Sequence, residues 1–222
     1  MKKNITRNIA EMLTADQRVA LNALGSPVHF QAGERIFREG EPSRSVLVIR
    51  NGNVKVTRHN VNGKEAILAI RGADEVLGDE GALTGDPRLA TVTTIAEVDA
   101  LDIGADDFVA FVDEHRLWPQ MYRDVVRRMR QSEERLMHAP LSVKNRLARW
   151  LLELATEVGE KTDEGWVIEW TLSQQDLATG IGATRDAVAI ALRQLREQEV
   201  LRTGRQRIVV LDVERLRAAA SV

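Results

Sequence analysis

The sequence predicts an α+β fold in which an antiparallel β-roll, or jelly roll, is followed by one long helix and a smaller, mainly helical domain. Short runs rich in β-branched residues fill residues 28–103 between turn residues, and the pattern becomes helical after residue 105. A length of 222 residues fits one medium and one small domain. Each predicted element has its own local signal.

Composition narrows the class of protein. Hydrophobic residues make up 44% and charged residues 29% of the chain, as in soluble globular proteins. No apolar run approaches the roughly 20 residues that span a bilayer, and the first residues, MKKNITRNIAEML, lack an apolar signal core, so we expect a cytoplasmic protein without a membrane partner. The absence of cysteine excludes disulfides, cysteine-ligated zinc and iron–sulfur clusters.

Charge is distributed unevenly along the chain. The net charge is −2, and residues 1–112 hold 13 basic and 16 acidic side chains. Residues 185–207 instead hold six arginines and three acids. This local positive excess predicts a surface that contacts phosphates.

The β-roll is predicted between a short helix and a longer one. Thr14 and Gln17 form a capping-box pattern that starts the first helix. Asn51-Gly52 and Asn62-Gly63 predict hairpin turns. The β-rich runs read VHF, RIF, SVLVIR, NVKVTRH, EAILAIR, VLG, ATVTTI and VDALDI.

A short helix from residue 105 to 112 and a long one over about residues 117–137 follow the roll. The long helix carries a stripe at intervals of four and three residues, the spacing of a coiled-coil seam, which predicts a homodimer. The alternative is one helix that packs against its own roll. The flanking residues 127, 128, 130, 133 and 134 are charged, as suits the hydrated flanks of a dimer seam. The seam residues are Trp118, Tyr122, Val125, Met129, Ser132 and Leu136.

His138-Ala139-Pro140 breaks the long helix, because proline disfavours helix in the residue before it. We therefore predict a roll at 1–112, a dimerisation helix and hinge at 113–139, and a C-terminal domain at 140–222. In that domain Ser142 starts a helix, GWVIEW (165–170) alternates like a strand, and 201–211 forms a hairpin around Thr203-Gly204.

The segment LSQQDLATGIGATRDAVAIALR (172–193) has the pattern of a helix-turn-helix. Ala178 lets the helices cross closely, Gly182 supplies a left-handed turn and Val188 fills the space between the helices. Ser173, with Asp176, caps the first helix, and Thr184 caps the second. With the flanking strand and hairpin this is the order of a winged helix, which predicts DNA binding. An ordinary pair of packed helices is the alternative.

Two motifs resemble those of the cAMP receptor protein/FNR superfamily of bacterial transcription regulators, and the resemblance covers essentially the whole chain. Gly78-Asp79-Glu80-Gly81-Ala82-Leu83 followed by Arg88-Leu89-Ala90 is similar to the family's phosphate-binding cassette, GEL(G/S) followed by R(S/T)A. The resemblance implies a cyclic-nucleotide-binding-type roll in which Arg88 binds phosphate and Asp79 binds ribose. The implied ligand-binding residues are Gly78, Asp79, Glu80, Arg88, Leu89, Ala90, Gln131 and Ser132.

The cassette departs from the family pattern at two positions. Asp79 replaces glutamate, and Leu89 replaces a hydroxyl residue. A lost hydrogen bond of this kind weakens binding without abolishing it. The effector is thus unidentified: cAMP or another cyclic nucleotide is one expectation, and a constitutive regulator with a degenerate pocket and a structural Arg88, paired with a carboxylate of the roll, is the other.

The second motif, Thr184-Arg185-Asp186-Ala187-Val188, is similar to the family's SRETV. It implies that Arg185 contacts guanine, Asp186 cytosine and Ile190 a thymine methyl. Double-stranded DNA, a second copy of the chain and RNA polymerase are the implied partners. Gln174, Thr184, Arg205 and Arg207 are the expected phosphate contacts.

Two other classes are weaker. Four scattered histidines (29, 59, 115 and 138) suggest a haem or metal sensor on the same scaffold as an alternative function. Their spacing, however, is not that of metal ligands. The chain has no HExxH motif and no evident nucleophile–base pair, so we do not expect an enzyme. If an effector acts, we expect the long helix and its 138–140 hinge to change conformation.

Overall fold

The computed structural model of the chain describes residues 12–59, 63, 65–169, 173–204 and 206–221. The described residues of 1–54 and 72–134 form one compact unit, and those of 55–71 and 135–222 form a second. The division at residues 112 and 139 stays a prediction. Asn62, Trp170 and Arg205, to which the sequence analysis gave roles, lie outside the described residues.

The predicted antiparallel roll is confirmed, and every β-rich run forms a strand. It follows helix α1 (Ala15–Leu24), whose capping box joins Thr14 and Gln17 as predicted. The strands form two sheets with the orders β1-β8-β3-β6 and β2-β7-β4-β5. Their bounds are β1 (Ser26–Phe30), β2 (Arg35–Phe37), β3 (Ser45–Asn51), β4 (Val54–His59), β5 (Glu65–Arg71), β6 (Val76–Leu77), β7 (Thr91–Thr94) and β8 (Val98–Gly104).

The core of the first unit lies against β3 and β8. These strands pair antiparallel, with Val46 opposite Ile103 and Val48 opposite Leu101. The four side chains are buried together with apolar residues of the helices that follow the roll. The roll thus has its own hydrophobic core.

Helix α2 (Asp79–Thr84) lies between β6 and β7, and helices α3 (Ala105–Glu114) and α4 (Trp118–Met137) follow the roll. The sequence predicted α3 and α4 but not α2. Gly78 precedes α2 with φ 82°, a left-handed conformation that glycine adopts readily. Met121 is the contact by which α4 joins the core.

The predicted helix break is confirmed, because α4 ends at Met137 and α5 (Val143–Glu157) begins after a turn. Ser142 caps α5 by accepting a hydrogen bond from the backbone N–H of Asn145 at 3.2 Å.

The second unit has the predicted winged-helix order with two additions. A four-stranded sheet of order β11-β12-β10-β9 accompanies the helices. Strand β9 and helix α8 were not predicted. The elements after α5 are β9 (Glu160–Thr162), β10 (Gly165–Glu169), α6 (Gln174–Ile181), α7 (Arg185–Glu197), β11 (Leu201–Gly204), β12 (Arg207–Val210) and α8 (Val213–Ala220).

The predicted hairpin at 201–211 is present, but the placement of its turn at Thr203-Gly204 was wrong. Gly204 pairs with Arg207 and Thr203 pairs with Ile208, so both belong to strand β11. The turn lies between Gly204 and Arg207, where Gln206 has φ 57°. Strand pairing rather than the Thr-Gly dipeptide fixes the position of this turn.

Candidate functional site

Arg88 lies inside the roll, where its side chain contacts backbone and an aromatic ring. Nη2 donates to the carbonyl oxygen of Ser45 at 2.7 Å, and Nη1 donates to that of Gly78 at 3.4 Å. The guanidinium carbon lies 3.6 Å from the centroid of the Phe37 ring, a cation–π contact. Sequence reasoning missed Phe37, whose only signal is its place in the RIF strand.

The glycines of the cassette leave room for these contacts. A Cβ on Gly78 would lie 2.0 Å from Nη1 of Arg88, and one on Gly81 would lie 2.0 Å from Oγ of Ser43 and 2.9 Å from the carbonyl oxygen of Asp86. Both positions therefore require glycine for a steric reason.

Arg88 is 7% exposed, and the hydrogen bonds of its guanidinium end on carbonyl oxygens. Burial lowers the pKa of Arg88, and the carboxylates of Asp102 and Glu41 act in the opposite direction from a distance. Within the described ranges no ion pair includes Arg88, so the alternative of an arginine paired with a roll carboxylate was wrong there. A buried cation of this kind suits an anionic ligand.

Asp79, the expected ribose contact, is 2% exposed and bonds to a cation of its own chain. Arg128 of α4 donates from Nη1 to Oδ1 at 3.1 Å and from Nη2 to Oδ2 at 2.6 Å, a bidentate pair. Although burial lowers the pKa of Arg128, the charge and hydrogen bonds of Asp79 raise it above its ordinary value. The acid is thus held in place by the long helix.

Three further acids extend this network. Nη1 of Arg128 lies 3.6 Å from Oε1 of Glu80, and its Nε lies 3.3 Å from Oδ2 of Asp124 without hydrogen-bond alignment. Arg127 donates to Oδ1 of Asp124 from Nη2 at 2.7 Å and lies 3.5 Å from Oε1 of Glu75. The prediction that Arg127 and Arg128 flank a hydrated seam was wrong, because both turn toward acids of their own unit.

The remaining predicted ligand residues are less enclosed. Leu89 is 52% exposed and Ser132 is exposed, whereas Ala90 and Gln131 are half-buried. The structure therefore brings Gly78, Asp79 and Arg88 together and leaves Leu89 outside the enclosed part of the site.

The predicted dimer seam faces solvent. Its large side chains are exposed, and the opposite side of α4 packs into the roll through Met121. The helix does pack against its own roll, as the alternative stated, but through the side opposite the seam residues. An apolar stripe left in solvent suits a protein interface. The exposed fractions are 44% for Trp118, 71% for Tyr122, 39% for Val125, 52% for Met129 and 74% for Leu136.

The helix-turn-helix has the predicted local structure. Ser173 and Asp176 form the capping box of α6, Gly182 has φ 62°, and Oγ1 of Thr184 accepts from the backbone N–H of Ala187 at 3.3 Å. Ala178 and Val188 are buried, as their predicted packing roles require.

One steric requirement of this motif was missed. A Cβ on Gly180 would lie 2.2 Å from Cη2 of Trp150, whose ring on α5 is buried. Gly180 lets α6 approach α5 at this point. A glycine inside a predicted helix was the available signal.

The outer face of α7 is free. Val188, Leu192 and Leu195 form the buried side, whereas Arg185, Asp186 and Ile190 are exposed. Ile190, 49% exposed, is a large apolar side chain on a polar surface. Gln174, Thr184 and Arg207 are also exposed, which leaves them free to contact a ligand.

The histidines lie apart. Nδ1 of His29 lies 2.8 Å from Oδ1 of Asp99, and Nε2 of His138 accepts from Nη1 of Arg149 at 3.2 Å. His115 packs on the ring of Phe111. No group of three or more His, Asp or Glu ligands lies close enough to hold a metal ion within the part of the chain that the structure describes.

The fold and the sites together define the class of protein: an antiparallel roll of the cyclic-nucleotide-binding type in one chain with a helix-turn-helix. Residues 27–115 match the family model of the cyclic nucleotide-binding domain, and residues 145–219 match that of the Crp-like helix-turn-helix domain. The chain is 32% identical over 201 residues to a CRP-like cAMP-activated global transcriptional regulator of Mycobacterium tuberculosis, with 89% of each chain covered. It belongs to the CRP/FNR family of transcriptional regulators, which are not enzymes.

A second relative agrees with this assignment, and two solved structures share the fold. The global nitrogen regulator of Synechococcus elongatus is 29% identical over 189 residues, which are 82% of this chain and 84% of that one. The structure of FixK2 from Bradyrhizobium japonicum superposes with a TM-score of 0.76 at 20% identity, over 89% of this chain and 98% of that one. The c-di-GMP responsive regulator CLP of Xanthomonas campestris gives 0.71 at 20% identity, over 89% and 99%.

Among the described residues, none of the helices has the length and apolar character needed to cross a bilayer.

Proposed function

We propose that this regulator is a homodimer that binds a nearly palindromic DNA site through α7, and that an anionic effector in the roll controls its affinity for DNA. The observation that carries the effector is Arg88, a buried cation bonded to carbonyl oxygens. The exposed seam of α4 supports the dimer, and the free outer face of α7 supports DNA recognition.

A dimer would place two copies of α7 in successive major grooves, about 34 Å apart. Arg185 then makes bidentate contact with guanine, Asp186 accepts from the cytosine amino group, and Ile190 packs on a thymine methyl. Gln174, Thr184 and the arginines at 205 and 207 contact phosphates, which sets the position of the protein without selecting sequence. The proposal includes a cytoplasmic location and RNA polymerase as a further partner.

A cyclic nucleotide is the effector that the site suits best. Arg88 would bind its phosphate, and Asp79, oriented by Arg128, would accept from a ribose hydroxyl. Gln131 and Ser132 of α4 would contact the base. The names of two similar regulators, one activated by cAMP and one responsive to c-di-GMP, agree with a phosphate-bearing ligand.

A constitutive regulator is the second candidate, and the Asp79–Arg128 pair favours it. Both carboxylate oxygens of Asp79 are already bonded. Leu89 replaces the family's hydroxyl residue, and it is 52% exposed. In that case Arg88 alone would not hold an effector, and no ligand would control DNA binding.

The test begins with selection of a DNA site from random oligonucleotides. Isothermal titration of cAMP and of cGMP into the purified chain follows, with Arg88→Ala as the variant and Arg38→Ala, an exposed arginine of the same roll, as its control. Heat that is lost only in the Arg88 variant, with DNA affinity changed by the ligand, supports gating. DNA binding without nucleotide binding supports the constitutive regulator. Failure to select any sequence contradicts DNA recognition.

A further inference from the structure

The β4–β5 hairpin carries a lysine that bonds to the first helix of the helix-turn-helix. Nζ of Lys55 on β4 lies 3.0 Å from Oδ1 of Asp176 on α6 and 3.2 Å from Oε1 of Glu65 on β5. The Lys55 and Asp176 side chains are both about four-fifths buried, at 20% and 21% exposed. Burial and two carboxylates thus fix this ammonium group in one place.

Both carboxylate oxygens of Asp176 have partners. Its Oδ2 accepts from the backbone N–H of Ser173 at 2.8 Å and from the Ser173 hydroxyl at 2.7 Å, while Oδ1 faces Lys55. Burial raises the pKa of Asp176, but the bonds to Ser173 and Lys55 outweigh this and lower it, so the carboxylate is charged at neutral pH. Lys55 is its cationic partner.

A second bond holds the same hairpin. Arg135 donates from Nη1 to the carbonyl oxygen of Leu68 on β5, and from Nη2 to Oε2 of Glu153 on α5 at 3.2 Å. Residues 55–71 accordingly belong to the same compact unit as residues 135–222. In sequence, however, the hairpin lies inside residues 27–115, which match the cyclic nucleotide-binding domain.

We propose that Lys55 is a positioning residue for DNA binding: it neutralises Asp176 on α6 and so makes the affinity for DNA depend on where the β4–β5 hairpin lies. The proposal rests on the proposed function, since α6 is the helix that crosses the DNA backbone in a helix-turn-helix. Without Lys55, the Asp176 carboxylate repels the phosphates near α6. A hairpin displaced by a ligand in the roll would have the same effect.

The test measures binding of a fluorescent copy of the selected DNA site by anisotropy, using the full chain. Lys55→Met keeps the aliphatic stem and removes the charge, and we expect it to weaken binding about fivefold, the value of a partly exposed charge pair. Asp176→Asn removes the repelling charge, so the double variant returns to within about twofold of the wild type. Lys55→Arg retains binding. Lys161→Met, at an exposed lysine of β9, is the matched control and leaves binding unchanged.

Two further measurements separate positioning from damage to the fold. The effect of Lys55→Met is the same for the selected site and for singly mutated sites, and it shrinks with rising salt because ions screen the repulsion between Asp176 and the DNA phosphates. Equal affinity of Lys55→Met and wild type overturns the proposal. So does tighter binding by Lys55→Met, or failure of Asp176→Asn to restore it. A wild type that selects no DNA sequence refutes the proposed function instead.

Discussion

Replacing Arg128 with methionine leaves the buried Asp79 carboxylate without its bidentate partner. Asp79 is 2% exposed, and Arg127, the neighbouring cation, is already bonded to Asp124. Removing one partner of a buried ion pair costs about 3–5 kcal/mol. Because the Arg128 side chain is itself 18% exposed, some water reaches the pair, and we expect the lower end, about 3 kcal/mol at pH 7.

Urea unfolding followed by circular dichroism measures this loss, at one fixed protomer concentration because association shifts the apparent stability. Asp79→Asn combined with Arg128→Met removes the orphaned charge and should recover at least half of the loss. An Arg128→Met variant within about 1 kcal/mol of the wild type would refute the reasoning, since even surface pairs reach that value. So would a double variant no more stable than Arg128→Met.

Three other predictions concern packing, assembly and protonation. Gly180→Ala should lower the free energy of unfolding by about 1–3 kcal/mol, because its Cβ would lie 2.2 Å from the buried Trp150 ring; an unchanged thermal midpoint would contradict this. Tyr122→Asp places a charge in the seam and should shift the sedimentation coefficient from dimer to monomer at micromolar concentration; a persistent dimer would refute the seam. The hydrogen bond that Nδ1 of His29 donates to Asp99 raises the pKa of His29 above 6.5, so the stabilisation is present below pH 6.5 and is lost as the pH rises through the higher value. An NMR titration in which Asp99→Asn leaves the pKa of His29 unchanged would disprove that cause.

Local signals allowed much of the fold to be predicted. The capping boxes at Thr14 and Ser173 each fix a helix start within four residues of sequence, and Gly182 fixes a turn by its own backbone freedom. The seam of α4 was predictable because periodicity reports which side chains share a helix face. Such signals depend on neighbours along the chain.

The rest depends on contacts between distant residues. Arg128 lies 49 positions from Asp79. Nothing in the segment 127–130, RRMR, shows which arginine bonds to that buried acid. Strand β9 is exposed throughout and has no apolar alternation, so only its pairing with β10 defines it. Helix α8 did carry a signal, since Asp212 caps it by accepting from the backbone N–H of Arg215 at 2.9 Å.

The buried side of α4 affects how occupancy of a DNA site depends on the concentration of this regulator. Leu117 and Met121 complete the core of the first unit within a single chain. We therefore expect the proposed dimer to separate without unfolding. At low concentration, occupancy of a DNA site that needs two copies rises with the square of the protomer concentration. Doubling the synthesis of the chain then increases occupancy about fourfold, so its abundance acts as an input beside any effector.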